Sequence, residues 1–211
     1  EEIAAFKPDI VCLQEVLSYS EARKLQSALY GEEGHLKVKG SCATLSRYPI
    51  TDPHAAPGLR NLICYVTLDD GQLIQVVNLH LSSSTTRMDL WSTGAWEDHT
   101  RVRKKHREEL QTVMQTLENH PVSEDNMPTL IVGDFNSPAG DPIFETLGDH
   151  YSDTFADCGK GWANTYHTKF PLLRLDYIFS SPQLFCARSG VERITGSDHR
   201  MLITDFGKTD E

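Results

Sequence analysis

The sequence predicts an α/β fold in one domain, and three observations carry that expectation. Short β-branched runs alternate with helix-patterned segments along the chain, the order expected of strands and the helices that cover them. Two of the runs, in "NLICYVTLDDGQLIQVVNLHL", meet at Asp69-Asp70-Gly71, a strong hairpin signal. The 211 residues contain no polar or low-complexity tract that would mark a domain boundary, and no solenoid repeat. A single domain over residues 1–211 is the expectation.

The elements follow in order. Residues 1–8 read as a helix that Pro8 stops, and "DIVCLQEV" as a short strand ending in Gln14 and Glu15. "SYSEARKLQSALY" is a helix with Ser18 or Ser20 as N-cap, Glu21 in the first turn, and Leu25, Ala28 and Leu29 on one face. "SCATLSRYPI" and the two hairpin arms are strands, the second arm ending in Asn78 and His80. Residues 82–100, with Trp91 and Trp96 among Ser, Thr, Gly and Asp, read as the longest loop. A helix is expected from Asp98 or Thr100 to about Asn119, since Leu110, Val113, Met114 and Leu117 fall at i, i+3, i+4, i+7. Beyond it come the strand "LIVGDFN", a short helix "DPIFETLG", and the strands "RLDYIFSS", "LFCARSG" and "SDHRMLITDF".

Composition narrows the function. A formal net charge of −10 argues against broad attraction to nucleic acid, although it leaves room for a local basic groove. The longest apolar runs fall far short of a bilayer span. The five cysteines, Cys12, Cys42, Cys64, Cys158 and Cys186, have no metal-like spacing and read as buried thiols. Such thiols favour a reducing, cytoplasmic setting, with an exported or membrane-tethered parent as the alternative.

One stretch raises the functional question. "TLIVGDFNSPAGDP", Thr129 to Pro142, runs a buried-type strand into a carboxylate and an amide. Period-two alternation sends Asp134 and Asn136 to one side and Phe135 into the packing. Other strands share the habit of ending in groups that titrate or chelate: Glu15 after "IVCLQ", His80 after "VVNL", and Asp198 with His199 opening "SDHRMLI". Asp176 sits among apolar residues, where a carboxylate is costly unless paired, and a histidine is its expected partner. Each residue alone has an ordinary explanation as a turn, a cap or a strand-end charge. Together they form the mix of carboxylates, amide and imidazoles that hard divalent cations and phosphoryl chemistry require.

"DIVCLQEV", "LSRYPI", "VVNLHL", "LIVGDFNS", "RLDYIFSS" and "GSDHRMLI" occur in the order of the endonuclease/exonuclease/phosphatase superfamily, which this sequence resembles from Asp9 to Ile203. The resemblance implies the fold of pancreatic deoxyribonuclease: a four-layer α/β/β/α sandwich of two mixed sheets packed face to face, with the site at one rim. It implies a divalent metal, Mg²⁺ or Mn²⁺, held by Glu15, with Asp198 binding it directly or through water. It further implies that Asp134 orients or deprotonates the attacking water, Asn136 holds the phosphate, His199 contacts a phosphate oxygen while Asp176 fixes its tautomer, and His80 is a second phosphate-facing histidine. In the family a first strand carries an Asn that helps hold the metal. No such segment precedes Glu1, so the full protein is expected to extend upstream.

The substrate is expected to be a phosphoester. A phosphodiesterase or nuclease is favoured over a small-molecule or lipid-headgroup phosphatase, and a non-catalytic binding module comes last. The basic run "RVRKKHR" and the two tryptophans are the reason, with Arg101 and Trp96 as candidate contacts for nucleic acid beside Arg47 and Arg174 near the rim. The basic run reads equally as a solvated helix face. A monomer is expected.

Overall fold

A computed structural model describes residues 1–51, 61–83, 93–119 and 127–208, with the backbone alone at 93–96 and 208. A short 3-10 turn, Ile3–Phe6, ends at a left-handed Lys7 ahead of Pro8. Then follow β1 (Ile10–Leu13), α1 (Tyr19–Tyr30), β2 (His35–Lys39), β3 (Cys42–Ser46), β4 (Ile50–Thr51), β5 (Leu62–Thr67) and β6 (Leu73–His80). The second half contains α2 (Thr93–Glu118), β7 (Thr129–Asp134), a 3-10 segment (Pro142–His150), β8 (Ser152–Asp153), α3 (Thr154–Cys158), β9 (Asp176–Ser180), β10 (Leu184–Glu192) and β11 (Met201–Lys208).

These elements stack in four layers. Among the described residues the central sheet has six strands in the order β4-β5-β6-β7-β9-β8, parallel only between β6 and β7 and antiparallel elsewhere. On one face α2 lays Leu110, Val113 and Leu117 against Val77, Leu79, Ile131 and Phe135. On the other, Cys64, Val66, Val76, Leu130 and Val132 meet Ile10 and Cys12 of β1, Leu184 of β10 and Phe206 of β11. Helix α1 closes the far side with Ala22, Leu25 and Leu29 over Ala43 and Leu45. The facing layer differs from the expected mixed sheet: among the described residues it is an antiparallel trio, β1-β3-β2, and an antiparallel pair, β10-β11.

Local chemistry explains the element ends. Ser18 caps α1, its Oγ accepting from the Glu21 backbone N–H at 3.3 Å. The buried stripe of α1 runs through Ala22, Leu25, Gln26 and Leu29, whereas Ala28, expected on that face, is exposed. Gln26 is tolerated inside because its Nε2 donates to the Gly31 carbonyl at 2.8 Å as the helix ends. Helix α2 starts at Thr93, earlier than the sequence pattern suggested, so the expected loop to residue 100 is shorter at that end. A polar first turn such as Thr-Gly-Ala-Trp-Glu-Asp has no apolar repeat to announce it, but nothing in it forbids a helix that its neighbours stabilise.

The five-thiol reading requires correction. Cys158 and Cys186 form a disulfide with Cα atoms 6.0 Å apart, tying α3 to β10, while Cys12, Cys42 and Cys64 are free. No spacing rule could pair them, since strand order alone brings residues 28 apart into contact.

One position fixes the central register. Gly133 has φ 141°, and a Cβ there would collide with the Leu79 carbonyl oxygen on the neighbouring parallel strand. Gly133→Ala should therefore lower unfolding stability by about 3 kcal/mol or more, read as the denaturant midpoint at constant slope.

Candidate active site

Three strand ends stand in one row. The pairing of β6 with β7 sets His80 opposite Asp134, and that of β7 with β9 sets Asp134 opposite Asp176. A row of alternating titratable groups across adjacent strands lies within reach of a single phosphoryl group, given a strand spacing of about 4.8 Å.

Past β7 the chain turns rather than continuing its pleat. Asn136 adopts a left-handed φ of 49°, and its backbone N–H donates to Asp134 Oδ1 at 2.8 Å. Its Nδ2 donates to Asp134 Oδ2 at 3.1 Å and to the Leu81 carbonyl at 3.0 Å. The amide is thereby fixed beside the carboxylate, on the side the alternation predicted, while Phe135 is fully buried.

Asp176 accepts from His199, Nδ1 to Oδ2 at 2.7 Å. A carboxylate can only accept, so Nδ1 carries the proton and Nε2 points away from the pair. Buried Thr165 steadies Asp176, its Oγ1 accepting from the Leu175 and Asp176 backbone N–H groups. The segment before His199 is held in turn by a 2.6 Å bond from the Thr168 N–H to the Asp198 carbonyl.

Glu15 lies two residues beyond β1 with a left-handed φ of 57°. Its Oε1 is 3.7 Å from His80 Nε2, which is itself 3.8 Å from Asp134 Oδ2. Buried His80 Nε2 has no hydrogen-bond partner among the described residues, while Nδ1 meets Ser41 Oγ at 3.3 Å. An imidazole nitrogen left in this state between two carboxylates is placed for an oxygen-bearing ligand.

The electrostatics separate the groups by role. Burial, reinforced by Asp176 and Glu15, pushes Asp134 up to about 7, against the Asn136 N–H and His199, which lower it. For His199 burial acts downward, but the Asp176 hydrogen bond and charge, with Asp134 and Asp198, raise it to about 9. The pair thus supplies a carboxylate that can take a proton near neutrality and an imidazolium that keeps its own.

The predicted residues are not all brought together. Side-chain ligand atoms of Asp134, Asp176 and His199 lie within 4.8 Å of one another. Glu15 and Asp198 sit outside this trio, exposed, at distances where each still acts on its charges. Arg47 is at the wrong end of the sheets: it pairs with Asp9, at 3.1 Å, and with Asp69 of the β5–β6 turn, at 3.9 Å. That is roughly 20 Å from His80 along β6. Arg174 is buried and spent on Asp153, with two bonds of 2.6 Å, and stacks over Phe155 and Tyr177, so it is a structural cation. Arg101 is exposed on α2 and paired with Asp98. The Trp96 side chain lies outside the described residues.

Sequence reasoning missed Asn78 as a device. Fully buried, it accepts from Gln14 Nε2 at 2.7 Å and donates to the Ala43 carbonyl at 2.9 Å and the Leu13 carbonyl at 3.2 Å. It ties the end of β1, and so Glu15, across the sandwich to β6. An amide inside an apolar strand run was the available signal.

A family model described as the Endonuclease/Exonuclease/phosphatase family matches residues 1–199, and the chain belongs to that family. Solved structures share its fold at low identity. An endonuclease/exonuclease/phosphatase from Bacteroides vulgatus is 17% identical with a TM-score of 0.74, covering 99% of this chain and 88% of that one. The mannosyl-6-phosphatase Bt3783 of Bacteroides thetaiotaomicron is 17% identical with a TM-score of 0.65, over 98% and 89%. A humanized D. rerio TDP2 is 16% identical with a TM-score of 0.67, over 98% and 88%. No curated protein sequence matches significantly. The family's members are phosphoester hydrolases.

If Asp176 is what keeps His199 charged, Asp176→Asn should lower the histidine well below about 9, because burial is then opposed only by the charges of Asp134 and Asp198. A ¹H–¹⁵N titration of the ring nitrogens reads this directly.

Proposed function

We propose that this chain is a divalent-metal-dependent phosphoester hydrolase in which water attacks phosphorus in line. The observation that carries the reading is the row His80, Asp134, Asp176–His199, in which a buried carboxylate of raised pKa has the His80 imidazole 3.8 Å away and His199 within 4.8 Å. In this reading Asp134 takes the proton of the attacking water, and Asn136, whose two amide protons are spent on Leu81 and Asp134, directs that water through Oδ1 instead of holding the phosphate as expected. His199, as imidazolium, and His80 donate to the oxygens on which charge develops.

The donor set fits a hard cation. The rim offers the carboxylates of Glu15, Asp134, Asp176 and Asp198, and among the described residues no cysteine joins the Asp134, Asp176 and His199 cluster. Glu15 is assigned as principal ligand, with Asp198 as a second carboxylate. Bound there, Mg²⁺ or Mn²⁺ would neutralise charge on the phosphoryl oxygens. Exhaustive chelation should abolish turnover and Mg²⁺ restore it, and Asp134→Ala should lower kcat by about 10³-fold.

The pH dependence follows from the same two groups. Activity needs Asp134 deprotonated and His199 protonated, so kcat/KM should rise through about pH 7 and fall through about pH 9. A bound cation beside Asp134 moves the lower limb to more acidic pH, and a flat profile from pH 5 to 10 would sink the assignment.

For the substrate, a compact phosphoester is favoured over a polyanion. Four cations of the basic helix already face carboxylates: Arg101 with Asp98, Arg103 with Asp141 at 3.2 Å, Lys104 with Glu108 at 3.8 Å, and Lys105 with Glu109 at 3.9 Å. One of the neighbours, the mannosyl-6-phosphatase Bt3783, is a phosphatase on this fold, which supports a compact phosphoester. Exchanging all four cations for Gln should leave a chromogenic phosphodiester and an oligonucleotide equally affected. Selective loss on the oligonucleotide, with a flattened salt dependence, would restore the nuclease reading.

A further inference from the structure

His106 is a deeply buried histidine outside the row described above. It lies on α2 at 1% exposure, between the two chain segments that leave the ends of β6 and β7. Its Nε2 is 2.6 Å from the Ser82 carbonyl and its Nδ1 3.0 Å from Ser137 Oγ. A carbonyl can only accept, so Nε2 carries a proton, and Nδ1 pairs with the Ser137 hydroxyl, which can donate or accept. Both nitrogens are used. Glu109, one turn further on, accepts from the Ser82 N–H at 2.9 Å and from Ser82 Oγ. Ser137 is gripped from its other side as well, since Tyr177 donates its hydroxyl to the Ser137 carbonyl at 3.1 Å.

The two segments clamped by His106 are those that hold Asn136. Ser82 follows Leu81, whose carbonyl accepts from Asn136 Nδ2, and Ser137 follows Asn136 itself. Asn136 is left-handed, a conformation less favourable for a residue with a side chain and one that needs outside support. We propose that His106, with Glu109, is a positioning residue of the active site: it locks the Leu81–Ser82 and Asn136–Ser137 segments together and so sets the orientation of the Asn136 amide beside Asp134 and the attacking water. The proposal rests on the phosphoesterase reading for its catalytic consequence, though not for its geometry. It also gives the basic helix a different role, in which its contribution to the site comes from its buried face rather than from its exposed cations.

The test uses the intact chain and two independent readouts. In the wild type the Asn136 side-chain amide protons should resonate separately, both held in hydrogen bonds. In His106→Ala they should shift and broaden, and in His106→Gln, which keeps a donor for Ser82 and an acceptor for Ser137, they should stay near their wild-type positions. On a chromogenic phosphoester His106→Ala should lower kcat by about 10- to 100-fold with KM within about threefold, as losses behind a contacting group do. His106→Gln should recover most of it. Combining His106→Ala with Asn136→Ala should cost little more than Asn136→Ala alone. Should His106→Ala fail to fold, Ser137→Ala cuts the same link with a smaller cavity and carries the same expectations. Unchanged Asn136 amide resonances, or full additivity of the two substitutions in kcat, overturn the proposal. A wild type that hydrolyses no phosphoester defeats the functional reading instead, and the resonance comparison still decides the clamp.

Discussion

The close approach of Gly133 to the Leu79 carbonyl is the constraint on which the site depends. It occurs one residue before Asp134, in the only parallel pair of the central sheet among the described residues, and admits no side chain. Because side chains alternate with period two, a slip of one residue there would turn Asp134 into the packed face and bring its neighbour to the rim. With the register held, His80, Asp134 and Asp176 fall in one row, and the rest of the site attaches to that row: Asn136 through its turn, His199 through Asp176.

Glu15 reaches the row by another route, because its strand belongs to the facing layer. The crossing is made by Asn78, whose buried amide gathers Gln14, Leu13 and Ala43. Burying an amide is favourable only when its hydrogen bonds are all made, so this group specifies how the two layers sit as well as stabilising them. Helix α2 completes the frame from the opposite side through His106 and Glu109. The site is thus braced from three directions by polar groups that stay inside the protein.

The charges are arranged on the same logic. Asp134 is pushed up by burial and by Asp176, while Asp176 invests its own charge in His199. The acidic chain keeps its basic helix largely paired with its own carboxylates, so the long-range field contributes little attraction for a polyanion. In the proposed reading, recognition falls to the few groups at the rim.

Fold class, element order and the core of the site were legible in the sequence. Strand-end polar residues are a local pattern, and six ordered motifs fixed the family to which the chain belongs. The hydrophobic repeat of α2 likewise announced Leu110, Val113 and Leu117, all buried. What the sequence misjudged depends on partners distant in the chain. Arg174 and Arg47 looked available because their carboxylates, Asp153 for one and Asp9 and Asp69 for the other, are matched only by folding. Cys158 and Cys186 looked like independent thiols for the same reason, and the facing layer's strand pairing is set by contacts between segments far apart. His106 gave no local sign at all, being a histidine in a basic run whose two partners, Ser82 and Ser137, lie 24 and 31 residues away. Periodicity and strand-end chemistry are written along the chain and can be read there. Pairing of charges, thiols and buried imidazoles is decided across it, where only the tertiary structure brings the partners within bonding distance.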